Sequence, residues 1–381
     1  MRYVGNKRRL LSFINQAIKD RQIEGKIFCD LFAGTATVGN YFKRQGYKVI
    51  SNDLLYCSYV QQKVKVEINE MPSFNFLAKY LGLGTSLNNN YAQLVVDYLN
   101  KLPGLDGFIY RNYALGGTHD QEIVRLYYTD ENAKKIDVIR ETIEAWKKLR
   151  LISDDEFYVL LYALLDEASI HANTTATMNS FLKKWIPNAL NPIYLKLPEI
   201  TSSVYRHQAY CQDGINLLEE LTVVDVLYLD PPYTRTQYAA SYHLLETITR
   251  WDSPSIQGIT GRRNLASLKS ALSSKKDAVT ALEKILASHA YRHLLMSYSS
   301  DSLIPHETLM GLFQKYGEVE VSHRSLRRYN LMALTDARYN PRKQVEERLY
   351  YLKPSYMRHV DFAGRQVIRS APLSNLITSL N

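Results

Sequence analysis

Apolar and polar positions fall into three stretches with different periods. In residues 1–60, Leu10, Leu11, Phe13, Ile14 and Ile18 recur at helical spacing and predict a helix from about Leu10 to Arg21. The run KIFCDLFA (26–33) predicts a strand. It enters GTATVGNYFKRQG, a glycine turn opening a helix, and KVISND then predicts a second strand ending at Asp53. Residues 61–205 change character. Segments 60–80, 132–150 and 154–170 read as helices, while LGLGTSLNNNY and LPGLDGFIYRNYALGG between them are turn-rich and aromatic, with no repeat. The helix within 128–150 presents Ile136, Ile139, Ile143 and Trp146 on one face, with Asp130 as its expected cap. HANTTATMNSFLKKW (171–185) is dense in hydroxyls and amides and reads as a loop able to meet base edges or phosphates.

After about 205 the strand–turn–helix rhythm resumes. TSSVYRHQAYCQDGINLLEEL predicts strand, Asp213-Gly214 turn and helix. Val224–Leu229 is a short apolar run of the kind buried on both faces of a parallel sheet, and HLLETI opens a helix beyond it. Residues 252–276 are polar, basic and glycine-containing, as in a flap. RHLLMSYSSDSLI predicts a further strand. EVEVSHRSLRRYNLMAL and ERLYYLKP predict late strands around a basic turn, whose Arg324, Arg327 and Arg328 are candidate contacts to a polyanion or simply a solvated face. Strands alternating with helices give an α/β fold with a mainly parallel sheet. The stretch 61–205 is too long for a connection within one sheet. The expected division is therefore a catalytic unit of 1–60 and 206–381, with a mostly helical domain inserted at 61–205.

The sharpest chemistry lies at the end of the 224–229 strand, where Asp230-Pro231-Pro232-Tyr233 meets the carboxyl edge at which open α/β sheets bind ligands. Two prolines restrict the backbone and remove two donors. What remains is a corner of acceptors, the Asp230 carboxylate and the adjoining carbonyls, beside the ring of Tyr233. Acceptors next to a flat ring suit a planar substrate bearing an exocyclic amine. In the loop beyond, Arg235, Gln237 and Tyr238 give a polar and aromatic rim just past that candidate substrate pocket.

A second site is written at 30–53. Gly34 and Gly39 permit close backbone approach, and the helix that follows turns free N–H groups toward a ligand. Asp30 caps the turn or holds a ligand's charged end. Asp53 ends the next strand, where nucleotide-binding α/β folds place an acid on the ribose hydroxyls. Ala36 stands where a dinucleotide fingerprint has a second close glycine, so the pattern favours a nucleoside ligand over NAD.

Composition narrows the setting. Lys plus Arg number 47 against 38 acidic residues, a formal +9 over 381 residues, which permits a polyanionic partner. Cys29, Cys57 and Cys211 are scattered without metal-ligand spacing, which fits a reducing compartment and predicts no metal site. No charge-free stretch reaches spanning length and no signal-like segment opens the chain, so a soluble cytoplasmic protein without membrane contact is expected.

These motifs together resemble the adenine-specific DNA methyltransferase family, the Dam-like D12 class, in its restriction–modification branch. YVGNK at 3–7 is similar to the family's N-terminal motif, DLFAGTATVG at 30–39 to its cofactor loop, Ser51-Asn52-Asp53 to its acidic strand end, and DPPY to its catalytic signature, in the family's order. The resemblance implies a Rossmann-like S-adenosylmethionine-dependent sheet of seven strands with target recognition in an insert. It implies methyl transfer to adenine N6 in double-stranded DNA, catalysed at Asp230, Pro231 and Tyr233. Tyr3, Lys7, Asp30, Phe32, Gly34, Thr35, Asp53 and Asp213 would bind the cofactor, with Tyr3 and Lys7 near its methionine end and Asp213 near its adenine. A separately encoded restriction endonuclease and a place on the prokaryotic nucleoid go with that branch. Two alternatives stay open. One is cytosine N4 methylation, which uses the same acceptor logic, usually with Ser for the Asp. The other is a catalytically silent DNA-binding subunit. Methylation at cytosine C5 is disfavoured, because none of the cysteines has the setting of a nucleophile.

Overall fold

The computed structural model describes residue 5 and residues 7–84, 90–175, 177–232, 237–327, 344–360 and 366–370. Tyr3, Tyr233, Arg235, Arg328 and the side chain of Arg327 lie outside the described residues. Among those described, seven strands form one sheet: β1 (Ile27–Asp30), β2 (Lys48–Asn52), β3 (Gln208–Tyr210), β4 (Val224–Leu229), β5 (Tyr291–Ser299), β6 (Gly317–Arg327) and β7 (Gln344–Pro354). Their spatial order is β3-β2-β1-β4-β5-β7-β6. The first five are parallel, β7 is antiparallel to β5, and β6 is antiparallel to β7. The chain runs outward from β1 to β3 and then returns to β4 on the other flank of β1. The crevice between the carboxyl ends of β1 and β4 is thus the topological switch point, where such sheets bind ligands.

Strand alternation divides the sheet's apolar residues between two faces. On one, Phe28, Val226 and Tyr228 join α1 (Leu11–Asp20) and α2 (Thr37–Arg44), and Phe42 stacks on Phe28 with ring centroids 3.9 Å apart. On the other, Cys29, Leu31, Leu227 and Leu229 pack with Leu217, Leu282 and Ile285. The single acid in β4, Asp225, has a structural use. It accepts the backbone N–H groups of Lys26 and Ile27 at 2.8 and 2.9 Å and pins the start of β1.

The helical stretch contains α3 (Tyr56–Gln62), α4 (Tyr91–Lys101), α5 (Asp130–Lys148) and α6 (Asp154–Ile170). A π-type turn, Lys63–Glu67, extends α3, and the expected 60–80 helix is broken before Asn75–Tyr80. Ile136, Ile139, Ile143 and Trp146 are buried as their spacing predicts. The cap of α5 is Thr129, whose hydroxyl accepts from Asn132 N, and not Asp130, which accepts from Gly116 N at 2.8 Å. The stretch 102–117, with its glycines and aromatics, is partly helical (Phe108–Tyr113), because its glycines serve close packing. A Cβ on Gly107 would lie 2.6 Å from Asp137 Cγ, and Asp137 caps that short helix through Ile109 N and Tyr110 N, each at 2.8 Å.

Among the later helices are α7 (Gly214–Glu220), α8 (His243–Arg250), α9 (Ala278–Ala287) and α10 (His306–Gln314). Residues from 239–268 belong to the same hydrophobic cluster as those from 55–195. Buried Arg140 of α5 donates to Ile248 O and Thr249 O at the end of α8, at 3.0 and 3.1 Å. Buried Glu246 of α8 accepts from Tyr56 N and Cys57 N at the start of α3, at 3.1 and 2.9 Å. Within 252–276, Ile256–Gln257 pairs with Arg262–Arg263 in a small hairpin. Its turn is tied down by Arg125, which donates to Gly258 O and Ile259 O, and by Tyr113, which donates to Gly261 O at 2.7 Å.

Candidate active site

The β1 side of the crevice is built by backbone conformation. Gly34 (φ 51°) and Ala36 (φ 55°) both adopt the left-handed region and fold the turn between β1 and α2. For Ala36 this conformation is a strained one, and it explains why glycine is the ordinary choice at such a position. Asp53 Oδ2 accepts from Gly34 N and Oδ1 from Leu55 N, both at 2.9 Å, joining the glycine turn to the corner after β2. Buried Asn52 adds a second stitch, donating to Leu31 O and Gln212 O at 3.2 and 3.0 Å. Burial raises the Asp53 carboxyl to about 6, even though its hydrogen bonds to Leu55 and Gly34 pull it down.

Asp30 is 1 % exposed; its Oδ2 accepts from Gly39 N at 3.1 Å, while Oδ1 is buried without a hydrogen-bond partner. Burial, then the nearby Asp230 charge, push its carboxyl well above the usual range. Gly39 is not part of the lining of the crevice; a Cβ there would meet Val66 Cγ2 at 3.2 Å, so it permits α2 to pack on the π-type turn.

On the β4 side, Asp230 faces the crevice beside Lys7. The nearly buried Lys7 ammonium is 3.1 Å from Asp230 Oδ1 and 3.8 Å from Glu347 Oε2. Burial raises the Asp230 carboxyl to about 6, against the pull of Lys7 and with the help of the Glu347 charge. Tyr228, fully buried below, shares a 2.8 Å hydrogen bond with Ser297.

Between the two sides lies a cleft of about 900 Å³. Lys7, Asp30, Phe32, Gly34, Thr35, Asp53, Asp213, Asp230, Gln237 and Tyr238 all line it, so the structure brings together candidates that the sequence scatters over more than two hundred positions. Exposed Asp213 also caps α7 through Ile215 N at 2.8 Å. Gln237 is engaged with the backbone of Ser270 in both directions, at 3.2 and 2.9 Å. Pro231 is buried and is not part of the lining. Arg324 lies apart from the cleft, 3.5 Å from Ser12 Oγ and over the Phe13 ring of α1. Sequence reasoning missed Glu347, whose strand reads as an ordinary alternating one, and Leu54 and Leu55, which line the cleft as plain apolar residues. It also missed the Asn52 stitch, although Ser51-Asn52-Asp53 carried part of the signal.

Four acids, Asp30, Asp53, Asp213 and Asp230, line this cleft and Glu347 stands beside Lys7, against two ammonium groups, Lys7 and Lys65, the latter donating to Thr35 O at 2.9 Å. That excess of negative charge, with one buried Asp30 oxygen left unpaired, fits a cationic ligand such as S-adenosylmethionine. Among the described residues no group of three or more His, Cys, Asp or Glu is placed to hold a metal ion, and no helix is long and apolar enough to cross a membrane.

A family model described as D12 class N6 adenine-specific DNA methyltransferase matches residues 3–310. The type II methyltransferase M.FokI of Planomicrobium okeanokoites is 35% identical over 323 residues, covering 83% of this chain and 47% of the relative. The modification methylase LlaI of Lactococcus lactis subsp. lactis is 35% identical over 362 residues, covering 93% of the chain and 55% of the relative. The type II methyltransferase M.NlaIII of Neisseria lactamica is 33% identical over 361 residues, 93% of the chain and 100% of the relative. The chain thus spans about half the length of M.FokI and LlaI, and the whole of M.NlaIII.

Proposed function

Since the chain belongs to the D12 class of N6 adenine-specific DNA methyltransferases, a restriction–modification family, we propose that it methylates N6 of an adenine flipped out of duplex DNA at one short sequence. The observation that carries the reading is the placement of Asp230 at the switch-point cleft, across from the glycine turn and Asp53.

S-adenosylmethionine, when bound, supplies a methyl group activated on a sulfonium. Asp53 would hold its ribose hydroxyls, Asp30 Oδ1 its ammonium, Asp213 its adenine end, and Phe32, Gly34 and Thr35 the turn beneath it, with Tyr3 and Lys7 toward the methionine. The amine of adenine is a poor nucleophile because its lone pair is delocalised into the ring. The Asp230 carboxylate and the Pro231 carbonyl would accept its two N–H groups and favour the geometry in which nitrogen attacks. The same carboxylate stabilises the positive charge that develops on N6. Tyr233 would stack on the extruded base, whose removal from the helix costs a few kcal/mol.

The formal charge of +9 supports duplex DNA as partner, with Arg235, Gln237, Tyr238, Arg324, Arg327 and Arg328 as candidate contacts and 61–205 as the recognition insert. Arg324, seated on α1, is the weakest member of that set. The proposed setting is the prokaryotic cytoplasm, on the nucleoid, where modification protects DNA from a separately encoded endonuclease. The test is to read modified bases across the source genome, and across plasmid DNA from a methylation-free host expressing the chain. N6-methyladenine at one fully modified motif is expected. N4-methylcytosine, or no mark in either DNA, would overturn the reading.

A further inference from the structure

Glu347 occupies an unusual place. Along β7 the side chains of Glu347, Leu349 and Tyr351 alternate onto the sheet face that α1 and α2 cover; Leu349 and Tyr351 are buried, and the Glu347 side chain is 14 % exposed. Its neighbour Glu346, on the opposite face, is more exposed and pairs with Arg348 and His323. An acid on a covered face carries a burial cost that an apolar residue would avoid. Glu347 Oε2 makes no hydrogen bond there; the Lys7 ammonium stands 3.8 Å off and is also 3.1 Å from Asp230 Oδ1.

We propose that Glu347 is a positioning residue for Asp230: by sharing the Lys7 ammonium, it keeps that cation from neutralising Asp230 alone and leaves the carboxylate its charge for the target amine. A two-member Lys7–Asp230 pair would be electrically neutral and a weak stabiliser of positive charge on N6. With Glu347 the three groups carry a net negative charge facing the cleft. Among the described residues, other charged and titratable groups near them include Asp30 at the end of β1, Tyr228 of β4, and Arg324, which is directly opposite Glu347 on β6. The inference rests on the reading of Asp230 as the acceptor of the target amine.

The arrangement predicts two effects of opposite sense from Glu347→Gln. Loss of the like charge lets Lys7 hold Asp230 ionised to lower pH, so the Asp230 titration midpoint falls below the wild-type value of about 6. The same change neutralises Asp230 more fully, so the single-turnover methylation rate on the alkaline plateau falls severalfold. The first is read by the carbon-13 carboxyl signal of labelled aspartate in the full chain without DNA, assigned by its loss in Asp230→Asn. The second is read with DNA carrying the mapped site. An unchanged or raised midpoint overturns the proposal, as does a lowered midpoint with an unchanged plateau. Glu347→Asp, which retains the charge at a longer distance, should lie between and guards against misfolding of the glutamine variant. Wild-type protein that transfers no methyl group to any DNA would overturn the amine-acceptor reading, and with it the purpose assigned here to Glu347; a midpoint that still falls would identify that failure as one of the reaction and not of the shared charge.

Discussion

Replacing Asp230 with asparagine should make the protein more stable at neutral pH while removing methyl transfer. An ordinary aspartate titrates at 3.8, and Asp230 at about 6, chiefly because burial disfavours its charge. A carboxyl whose value is raised by folding gives its full contribution to stability below the unfolded value. That contribution is lost as pH rises through the folded value. At about 1.4 kcal/mol per pH unit, ionised Asp230 costs the fold ~3 kcal/mol above about pH 6. The attraction of Lys7 is already contained in that balance, and in the variant Lys7 keeps Glu347 at 3.8 Å. Asparagine copies the neutral acid in shape. Wild type and variant should therefore unfold alike near pH 4 and diverge as pH rises, the variant leading by ~3 kcal/mol, roughly 4 °C in melting temperature for a chain of 381 residues, at pH 7.5. The assay is calorimetric melting of both proteins across that range, with single-turnover methylation in parallel. A variant of equal or lower stability at pH 7.5, or a difference independent of pH, would show that the ion pair outweighs burial and that the cleft stores no charge strain.

Other expectations follow from the same geometry. Asp53→Ala removes the carboxylate that joins Gly34 N to Leu55 N and should weaken S-adenosylmethionine binding by about 1–3 kcal/mol in titration calorimetry; unchanged affinity would leave Asp53 a purely structural link. Arg125→Met frees the carbonyls of Gly258 and Ile259, so amide exchange across the 256–263 hairpin should accelerate while cofactor affinity is kept. Continued protection would mean that Tyr113 alone holds the turn. Gly107→Ala sets a methyl group against Asp137 and should lower stability by about 2 kcal/mol or more in denaturant unfolding, whereas a neutral effect would show that this seam yields easily.

What could be seen in the sequence was mostly local. Buried strands such as Val224–Leu229 announce themselves by apolar runs, and α5 by its row of isoleucines, because one element's period is enough to reveal its buried face. The turn at Gly34 and the acids at Asp30, Asp53 and Asp230 were legible for the same reason, each standing at a strand's end. The helix Phe108–Tyr113 was hidden by glycines that read as turns but admit Asp137 from a helix far along the chain. Thr129 was passed over as a cap because Asp130 beside it is an equally good one by type, and only the contact of Asp130 with Gly116 separates them. Glu347 had no local mark at all. Its significance comes from a lysine at the opposite end of the sequence, and charge pairing of that kind has no period.

The seams at α8 bear on how specificity can diversify in such proteins. Arg140 closes the end of α8 and Glu246 closes the start of α3, so elements lying on both sides of the Asp230 strand in sequence share one core. Were 61–205 the recognition insert proposed for it, a copy exchanged between relatives by cutting only at 61 and 205 would arrive without the α8 carbonyls that Arg140 binds. Exchange of specificity should therefore travel as a discontinuous set, with residues 237–268 inherited alongside the insert, and recombinants that separate the two should be rare among natural sequences.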